Sequence, residues 1–472
     1  MTRRGLLLAT SLVLAILLAS LLYLGLQGFW NAAETPPDII FHNGIVLTME
    51  ESPSQVEAVA IQGEYFVAVG DENDILALAG PHTQVIDLEG RTLSPGFIDS
   101  HCHWFQNLSS IVNISTTEDA IETILKSGWT SVSELSAYPE RLDLLRSLDN
   151  QDSLRVRVNA YLQLNWQFER FGNWYQAYQP GQEFSSKLRI GGVKIFNEGT
   201  FLDYDHYFSQ TELNSLVQEA HDAGFQIATH SIIHNGTDIV LNAYESVLDG
   251  ESNEDYRHRI EHLVLLRDDQ IQRMSDLGII ASFQLTWHNS DTLAATGEEQ
   301  VFADLHSGGQ PVARWRDILQ AGIPSIGSTD FPWFFFSNSS AMLTISKAVT
   351  RIGELGITPT DQMLNQTISV EQALRLLTID AAYGTFQEDI KGSIKVGKFA
   401  DLVMLSDNPL TVPEDTIADI DVLMTMVGGV VEYTAPGHQF LSAECAGVGS
   451  QPIQLVSPPI RMEMVDEARF EP

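Results

Sequence analysis

Two histidines separated by one residue stand at the end of an apolar run, residues 95–103, which reads PGFIDSHCH. If this run is a β-strand, side chains two apart point the same way, so His101 and His103 share a side and Cys102 faces the other. Paired imidazoles suit a borderline metal such as zinc. A buried, hydrogen-bonded pair is the alternative interpretation. The alternation argues against a ligand or redox role for Cys102.

Four more polar residues occur at or near the ends of short apolar runs: Lys194, His230, His262 and Asp330. Each has an ordinary structural explanation, as an ion-pair partner, a satisfied core histidine or a helix cap. Convergence of all of them at one end of a parallel barrel favours a different explanation. Buried polar and charged groups are tolerated only when they are paired or bound to a cation, so we expect a metal centre.

The elements that would position these residues follow a βα rhythm that begins near residue 92. Eight short apolar runs alternate with amphipathic stretches: 96–103, 131–135, 155–162, 192–196, 226–231, 259–263, 279–285 and 325–328. Eight strands in this rhythm predict an α/β fold, a (β/α)8 TIM-like barrel over residues 95–392. Active sites of such barrels lie at the carboxyl ends of the strands. Helices are predicted near residues 332–351 and 370–383.

Short alternating strands separated by glycine turns precede the barrel, in residues 37–94, and β character returns in residues 393–435, with runs at 400–405 and 422–433. We expect these two segments to form one composite β-sandwich domain. Residues 436–472 show no clear periodicity and are a C-terminal extension of unassigned structure.

The first thirty residues indicate a targeting or anchoring segment. Residues 5–26 carry no charge, and such a run is close to the ~20 residues that cross a bilayer. Arg3 and Arg4 precede the run, whereas Glu34 and Asp38 follow it. Residues 1–30 are therefore predicted to be a transmembrane signal anchor with the catalytic domain on the extracytoplasmic side, periplasmic or extracellular. If the leader is cleaved, the protein is secreted.

The amino-acid composition limits the classes of molecule that the protein can bind. The chain has 62 acidic and 26 basic residues and a formal net charge of −36, so most of its surface would repel nucleic acid. Two cysteines cannot build a disulfide framework, and 44% hydrophobic residues are enough for a sizeable core. We expect a small-molecule substrate, no nucleic acid, and contact with a membrane only through the N-terminal helix.

The motifs resemble those of the amidohydrolase superfamily. The resemblance rests on residues 95–103, 193–196, 257–263, 327–332 and 392–405, and it covers residues 38–433. The HRIEH run at 258–262 and the KIF run at 194–196 are most similar to amidohydrolase family 3, the group that includes N-substituted formamide deformylase.

The resemblance implies a pair of divalent metal ions, with zinc the expected metal. It implies that one metal is held by His101, His103 and Asp330, that a second is held by His230 and His262, and that a carbamate on Lys194 bridges them. An amine desolvated at a barrel end has a lowered pKa and can react with carbon dioxide, so the carbamate is physically reasonable. Asp330 would then take a proton from the attacking hydroxide and deliver it to the leaving nitrogen. Glu261 and His258 are candidates to orient the ligands.

The sequence departs from the family at two loops. Asn197-Glu198-Gly199 stands where Ala-Asp-Gly is usual, and the residues after His230 also differ. Aromatic residues concentrate in the predicted catalytic loops: Trp104, Phe105, Trp287, Phe331, Trp333, Phe334, Phe335 and Phe336. They favour an apolar or aryl group on the substrate, unless they pack the barrel rim or face the membrane.

Hydrolysis of an amide or another non-peptide C–N bond, as in N-acyl or N-formyl amines, is the expected activity. One alternative is a mononuclear, deaminase-like barrel in which Lys194 stays an amine and forms an ion pair. Another is a membrane-tethered binding protein that has lost catalysis.

Overall fold

The computed structural model describes residues 35–106, 114–199, 206–248, 255–287, 289–291, 311–332 and 340–438. The anchor predicted for residues 1–30 lies outside these ranges, and so does the extension beyond residue 438. Within the described ranges, no helix combines the length and apolar character that a bilayer crossing requires.

The described chain starts with short strands separated by turns. They are β1 (Ile39–His42), β2 (Ile45–Leu47), β3 (Gln55–Val56), β4 (Ala58–Gln62), β5 (Tyr65–Gly70), β6 (Gln84–Asp87) and β7 (Thr92–Pro95), with helix α1 (Glu72–Leu76) between β5 and β6. Gly63 adopts positive φ in the turn between β4 and β5, which pair antiparallel, as short hairpin connections require.

A parallel sheet follows. Its strands are β8 (Phe97–Cys102), β9 (Trp129–Ala137), β10 (Arg157–Gln163), β13 (Leu188–Phe196), β14 (Ile227–Ser231), β15 (Arg259–His262), β16 (Ile280–Gln284) and β17 (Ser325–Ser328); a hairpin of β11 (Asn165–Trp166) and β12 (Glu169–Arg170) follows β10. Their order is β17-β16-β15-β14-β13-β10-β9-β8. Just beyond β17, the N–H of Asp330 donates to the carbonyl of His101 (2.8 Å), and the N–H of His103 donates to the carbonyl of Phe331 (2.8 Å). These bonds join the two edges of the sheet, and the predicted α/β barrel is confirmed.

Helices surround the barrel. They are α2 (Thr117–Lys126), α3 (Pro139–Asn150), α4 (Gln210–Asp222), α5 (His234–Leu248), α6 (Asp268–Leu277), α7 (Trp315–Gln320), α8 (Ala341–Thr350), α9 (Asp361–Leu364), α10 (Val370–Leu376) and α11 (Ile379–Tyr383). Local sequence defines several of their ends: Ser209 and Glu212 form a capping box at the start of α4, and Gly278 ends α6 in the left-handed conformation.

The chain then returns to the N-terminal β unit with β18 (Leu402–Leu405), β19 (Val422–Val427) and β20 (Val430–Thr434). Two sheets result, with strand orders β5-β4-β1-β6 and β20-β19-β18-β7-β2-β3. In the second sheet β7 pairs antiparallel with β18, so strands from before and after the barrel lie side by side. Apolar side chains of both sheets, such as Phe41 and Phe66 from the first and Leu402 and Met424 from the second, share one core.

The structure divides two elements that were predicted to be continuous. The predicted helix over 370–383 is α10 and α11, because the carbonyl of Leu377 leaves the helix and accepts the N–H of Ile98 in the barrel (2.7 Å). The predicted strand over 422–433 is β19 and β20, because Gly428 and Gly429 both adopt positive φ and reverse the chain. The helix predicted from residue 332 begins at Ala341, and residues 333–339 lie outside the described ranges.

Candidate metal centre

The residues predicted to bind metal lie at one mouth of the barrel. His101 lies in β8 with His103 directly after it, Lys194 lies in β13, His230 in β14, His262 at the end of β15, and Asp330 two residues after β17. None of them is more than 6% exposed. Ring centroids of His101 and His262 are 4.9 Å apart, and those of His230 and His262 are 4.3 Å apart. The structure thus brings these side chains together.

Three of these residues can direct ligand atoms at one point. One nitrogen each of His101 and His262 and one carboxylate oxygen of Asp330 lie within 4.8 Å of one another. Asp330 Oδ1 is 3.2 Å from His101 Nε2 and 3.0 Å from His103 Nε2. Although these distances are short, neither Asp330 Oδ1 nor His101 Nε2 has a hydrogen-bond partner among the described residues. Buried polar atoms in this arrangement are what a cation would satisfy.

The Lys194 amine is completely buried. Its Nζ has no hydrogen-bond partner within the described part of the chain and lies 4.8 Å from the ring centroid of Phe196. Burial lowers the pKa of Lys194 from its ordinary value of 10.5 to about 8. The ion pair that the mononuclear alternative requires of Lys194 is not among the ion pairs of the described residues.

Each of the four histidines has a hydrogen-bond partner on one of its two ring nitrogens. His101 Nδ1 is 2.6 Å from Glu261 Oε2. Arg259 holds that carboxylate in turn: its Nε donates to Glu261 Oε1 (2.5 Å) and its Nη2 donates to Oε2 (2.9 Å). Burial opposes ionisation of Glu261, but the Arg259 charge keeps the pKa of Glu261 below its ordinary value. A carboxylate on Nδ1 leaves Nε2 of His101 as the nitrogen that could bind a metal ion.

The partner of His103 belongs to a buried polar network. His103 Nδ1 is 3.0 Å from Ser136 Oγ, which donates to Glu134 Oε1 (2.8 Å). Arg141 donates to both Glu134 (3.1 Å) and Ser136 (2.6 Å). The network keeps His103 Nε2 directed toward Asp330.

The hydrogen-bond partners of His262 and His230 are a side-chain amide and a backbone carbonyl. His262 Nδ1 is 2.7 Å from Gln284 Oε1, and the Gln284 amide nitrogen donates to Ser328 Oγ (3.2 Å), which orients the amide. His230 Nε2 is 3.2 Å from the carbonyl oxygen of Gly199. Donation of these N–H groups leaves Nε2 of His262 and Nδ1 of His230 as acceptors.

The electrostatics of the mouth favour metal ligation. Burial lowers the pKa of His101, His103 and His262 well below the ordinary histidine value, and it lowers the pKa of His230 to about 3. These imidazoles are therefore neutral, as metal ligands must be. Burial also raises the pKa of Asp330 well above its ordinary value, so a bound cation would be needed to stabilise its carboxylate form. The donor set, imidazole nitrogens with one carboxylate, fits zinc and similar divalent ions.

Two of the residues at the centre have a strained backbone. His262 and Asp330 adopt φ of 81° and 56°, a region that residues other than glycine rarely occupy. Such strain is typical of functional sites, where the surrounding structure holds a side chain in one position.

The structure corrects the role expected for His258. This residue precedes β15, whereas His262 ends it, so His258 lies at the opposite end of the strand. Its Nε2 is 3.0 Å from His221 Nδ1, and its Nδ1 accepts the N–H of Ile227 (3.1 Å). It orients none of the predicted ligands. Three residues that do support the predicted ligand histidines were not identified from the sequence: Arg259, Ser136 and Gln284. The sequence indicates them only weakly, because each lies on a barrel strand that carries or neighbours a predicted ligand.

The aromatic residues of the mouth pack against the centre. Trp104 stacks on Phe331 with centroids 3.9 Å apart, and Trp287 stacks on His262 at 4.7 Å. These three aromatic residues and Phe105 are at most 5% exposed. Residues 333–336 lie outside the described ranges.

Residues 113–433 match the amidohydrolase family. The N-substituted formamide deformylase of Arthrobacter pascens is 30% identical over 267 residues, which are 53% of this chain and 47% of the deformylase. The chain thus spans about half the length of this curated relative. An imidazolonepropionase of Fusobacterium nucleatum is 25% identical over 396 residues, 73% of this chain and 84% of that protein.

Solved structures share the fold. A metal-dependent hydrolase from Pyrococcus horikoshii superimposes with a TM-score of 0.66 at 19% identity, and the match covers 80% of this chain and 99% of that one. The ochratoxinase of A. niger gives a TM-score of 0.60 at 17% identity over 87% of this chain and 99% of that one.

Proposed function

This chain belongs to the amidohydrolase family, as its motifs predicted, and on that premise we propose that it is a metal-dependent hydrolase of amide or other non-peptide C–N bonds in small molecules. The observation that carries the proposal is the convergence of buried ligand atoms from His101, His262 and Asp330 within 4.8 Å. His103, His230 and Lys194 complete the proposed set around them.

The chain's own residues have distinct roles in this proposal. Bound divalent ions would supply Lewis acidity, which polarises a carbonyl and acidifies water. Asp330 takes the proton of the attacking water and delivers it to the leaving nitrogen, since its carboxylate lies between the imidazoles of His101 and His103. Glu261, Ser136 and Gln284 hold the histidine rings in the orientation that ligation needs.

Lys194 is proposed to carry a carboxyl group derived from carbon dioxide. The neutral amine attacks carbon dioxide, an N–C bond forms, and the amine proton leaves to solvent. Complete burial, a pKa lowered to about 8 and an Nζ without a hydrogen-bond partner among the described residues all support this reaction. Native mass spectrometry should show one carbon dioxide mass in wild type and none in Lys194→Met.

The proposed substrates are N-acyl amines, N-formyl amines among them, with an apolar or aromatic group. The support is the likeness to a protein named N-substituted formamide deformylase and the aromatic ring of Trp287, which lies against His262 at the mouth. The net charge of −36 disfavours anionic substrates.

One experiment tests the function: elemental analysis of purified protein, coupled to turnover of a panel of N-formyl amines, N-acyl amines, lactams and esters. We expect about two zinc equivalents per chain, release of an amine, and loss of activity on chelation. His262→Ala should lose metal, whereas His258→Ala, in the same motif but outside the centre, should keep it. One equivalent in an active enzyme would favour the mononuclear alternative. A metal-loaded protein that turns over no compound of the panel would favour the alternative of a binding protein that has lost catalysis.

A further inference from the structure

Glu198 lies two residues beyond β13, the strand that carries Lys194, and its side chain is 2% exposed. One carboxylate oxygen, Oε1, accepts the backbone N–H groups of Ile232 (2.5 Å) and Ile233 (3.1 Å), and the Ser231 hydroxyl lies 3.4 Å away. These three acceptor contacts are with the residues that directly follow His230. The carboxylate therefore ties the end of β13 to the turn between β14 and α5.

A glycine makes room for this carboxylate. Gly236 lies in the first turn of α5, and a Cβ there would overlap Glu198 Oε2. Alanine is otherwise the better residue inside a helix by about 1 kcal/mol, so a glycine at this place needs a packing reason. The Asn197 amide, next to Glu198, lies 3.4 Å from the Gly236 carbonyl.

The same segment also contacts the ring of His230. The carbonyl oxygen of Gly199, the residue after Glu198, lies 3.2 Å from His230 Nε2. The backbone after His230 and one ring nitrogen of His230 are thus both held by two consecutive residues at the end of β13.

We propose that Glu198 is a positioning residue for His230: it clamps the turn that follows the ligand, so that His230 Nδ1 stays directed at the metal centre, and Gly236 is the small residue that admits the clamp. The inference rests on the proposed function, because it assigns a purpose to the position of a proposed ligand. Residues 197–199, where the sequence differs from the usual Ala-Asp-Gly, would then help to set the position of a ligand.

A matched pair elsewhere in the chain provides the control. Asp291 is also completely buried, its carboxylate accepts the N–H groups of Leu355 and Ile357, and a Cβ at Gly353 would overlap it. The turn that Asp291 holds carries none of the proposed ligands. Asp291→Ala and Gly353→Ala therefore report the general cost of losing such a clamp.

The experiment measures zinc affinity by competition with a chromophoric chelator, together with thermal unfolding of the metal-free proteins. Glu198→Ala and Gly236→Ala should each weaken zinc binding by about 10-fold to 100-fold. Glu198→Gln keeps an oxygen acceptor and should bind nearly as wild type does. In the Glu198→Ala background, Gly236→Ala should cause no further loss of affinity, since the clash partner is gone. The two control variants should lower the unfolding temperature but leave zinc affinity unchanged.

Each other outcome has a defined meaning. If wild type binds zinc and the Glu198→Ala protein binds it equally well, the inference is overturned and the proposed function stands. Equal loss of affinity in the Asp291→Ala protein would also overturn it, because the effect would be global. If Glu198→Ala does not fold, the zinc affinities of Gly236→Ala and Glu198→Gln test the inference instead. A wild-type protein that binds no zinc or other divalent ion removes the proposed function and this inference with it.

Discussion

Asp99 holds Thr329 by two hydrogen bonds: the backbone N–H of Thr329 donates to Asp99 Oδ1 (2.9 Å) and its hydroxyl donates to Oδ2 (2.6 Å). The two residues belong to β8 and to the chain just after β17, so this contact lies where the barrel closes. Thr329 precedes Asp330, whose N–H donates to the carbonyl of His101. The contacts that close the barrel therefore also position Asp330, the proposed proton-transfer group.

Thr329→Val tests this relationship. The valine keeps the shape but removes the hydroxyl, which also accepts the N–H of Phe331 (3.0 Å). A buried carboxylate oxygen left without its donor costs about 1–3 kcal/mol, so the free energy of unfolding should fall by that amount in urea denaturation. Turnover should fall as well, because Asp330 loses its support. Thr329→Ser keeps the hydroxyl and should behave as wild type; a serine variant as impaired as the valine variant would contradict this account.

Asp330→Asn tests the proposed proton transfer. The amide has the same shape but cannot accept and deliver a proton, so turnover should drop by ~10²-fold or more. The variant should still fold and retain metal, as measured by thermal unfolding and elemental analysis. Asp380→Asn is the control, since the carboxylate of Asp380, in α11, pairs with Arg375 of α10 and with none of the proposed ligands. Wild-type turnover in the Asp330→Asn protein would remove Asp330 from the mechanism.

The predicted ligand positions depend on local rules that a sequence displays directly. A two-residue period places His101 and His103 on one side of β8, and the carboxyl ends of parallel strands must share a mouth, so Lys194, His230 and Asp330 could be grouped without coordinates. The barrel itself follows from the alternation of short apolar runs with amphipathic stretches.

The partners of the histidines could not be predicted, because they depend on the register between strands. Ser136 reaches His103 from β9, and Gln284 reaches His262 from β16, which requires knowledge of which residues lie side by side. His258 was assigned wrongly for a related reason: proximity in sequence to His262 suggested a shared site, but four residues of extended strand separate the two by about 13 Å.

The Arg259–Glu261 pair is expected to be essential to stability. Both side chains are completely buried, and Glu261 also contacts His101. Removing one partner of a buried ion pair leaves an uncompensated charge and costs ~3–5 kcal/mol, so Arg259→Met should lower the free energy of unfolding by about that much. Arg273→Met, which removes partly exposed pairs with Glu245 and Asp238, should cost at most ~1 kcal/mol. Similar losses in the two variants would show that burial of the Arg259 pair is not what matters.

Lys391 should make stability depend on pH. Its Nζ is buried and donates to Ser131 Oγ (2.6 Å), and burial lowers the pKa of Lys391 from its ordinary value of 10.5 to about 7. Between these two pH values the unfolded chain binds a proton at Lys391 that the folded chain does not, so this residue makes the free energy of unfolding rise with pH there. The rise from one such group is at most about 1.4 kcal/mol per pH unit.

Urea denaturation of wild type and Lys391→Met between pH 7 and pH 10 measures this contribution as a difference, which removes the effects of other titrating groups. The methionine variant should show a smaller rise of the unfolding free energy with pH, because it lacks the lysine that loses its proton on folding. Lys395→Met is the control, since Lys395 is 57% exposed and its hydrogen bond to Glu50 raises the pKa of Lys395. An identical pH dependence in wild type and Lys391→Met would show that Lys391 stays protonated in the folded protein.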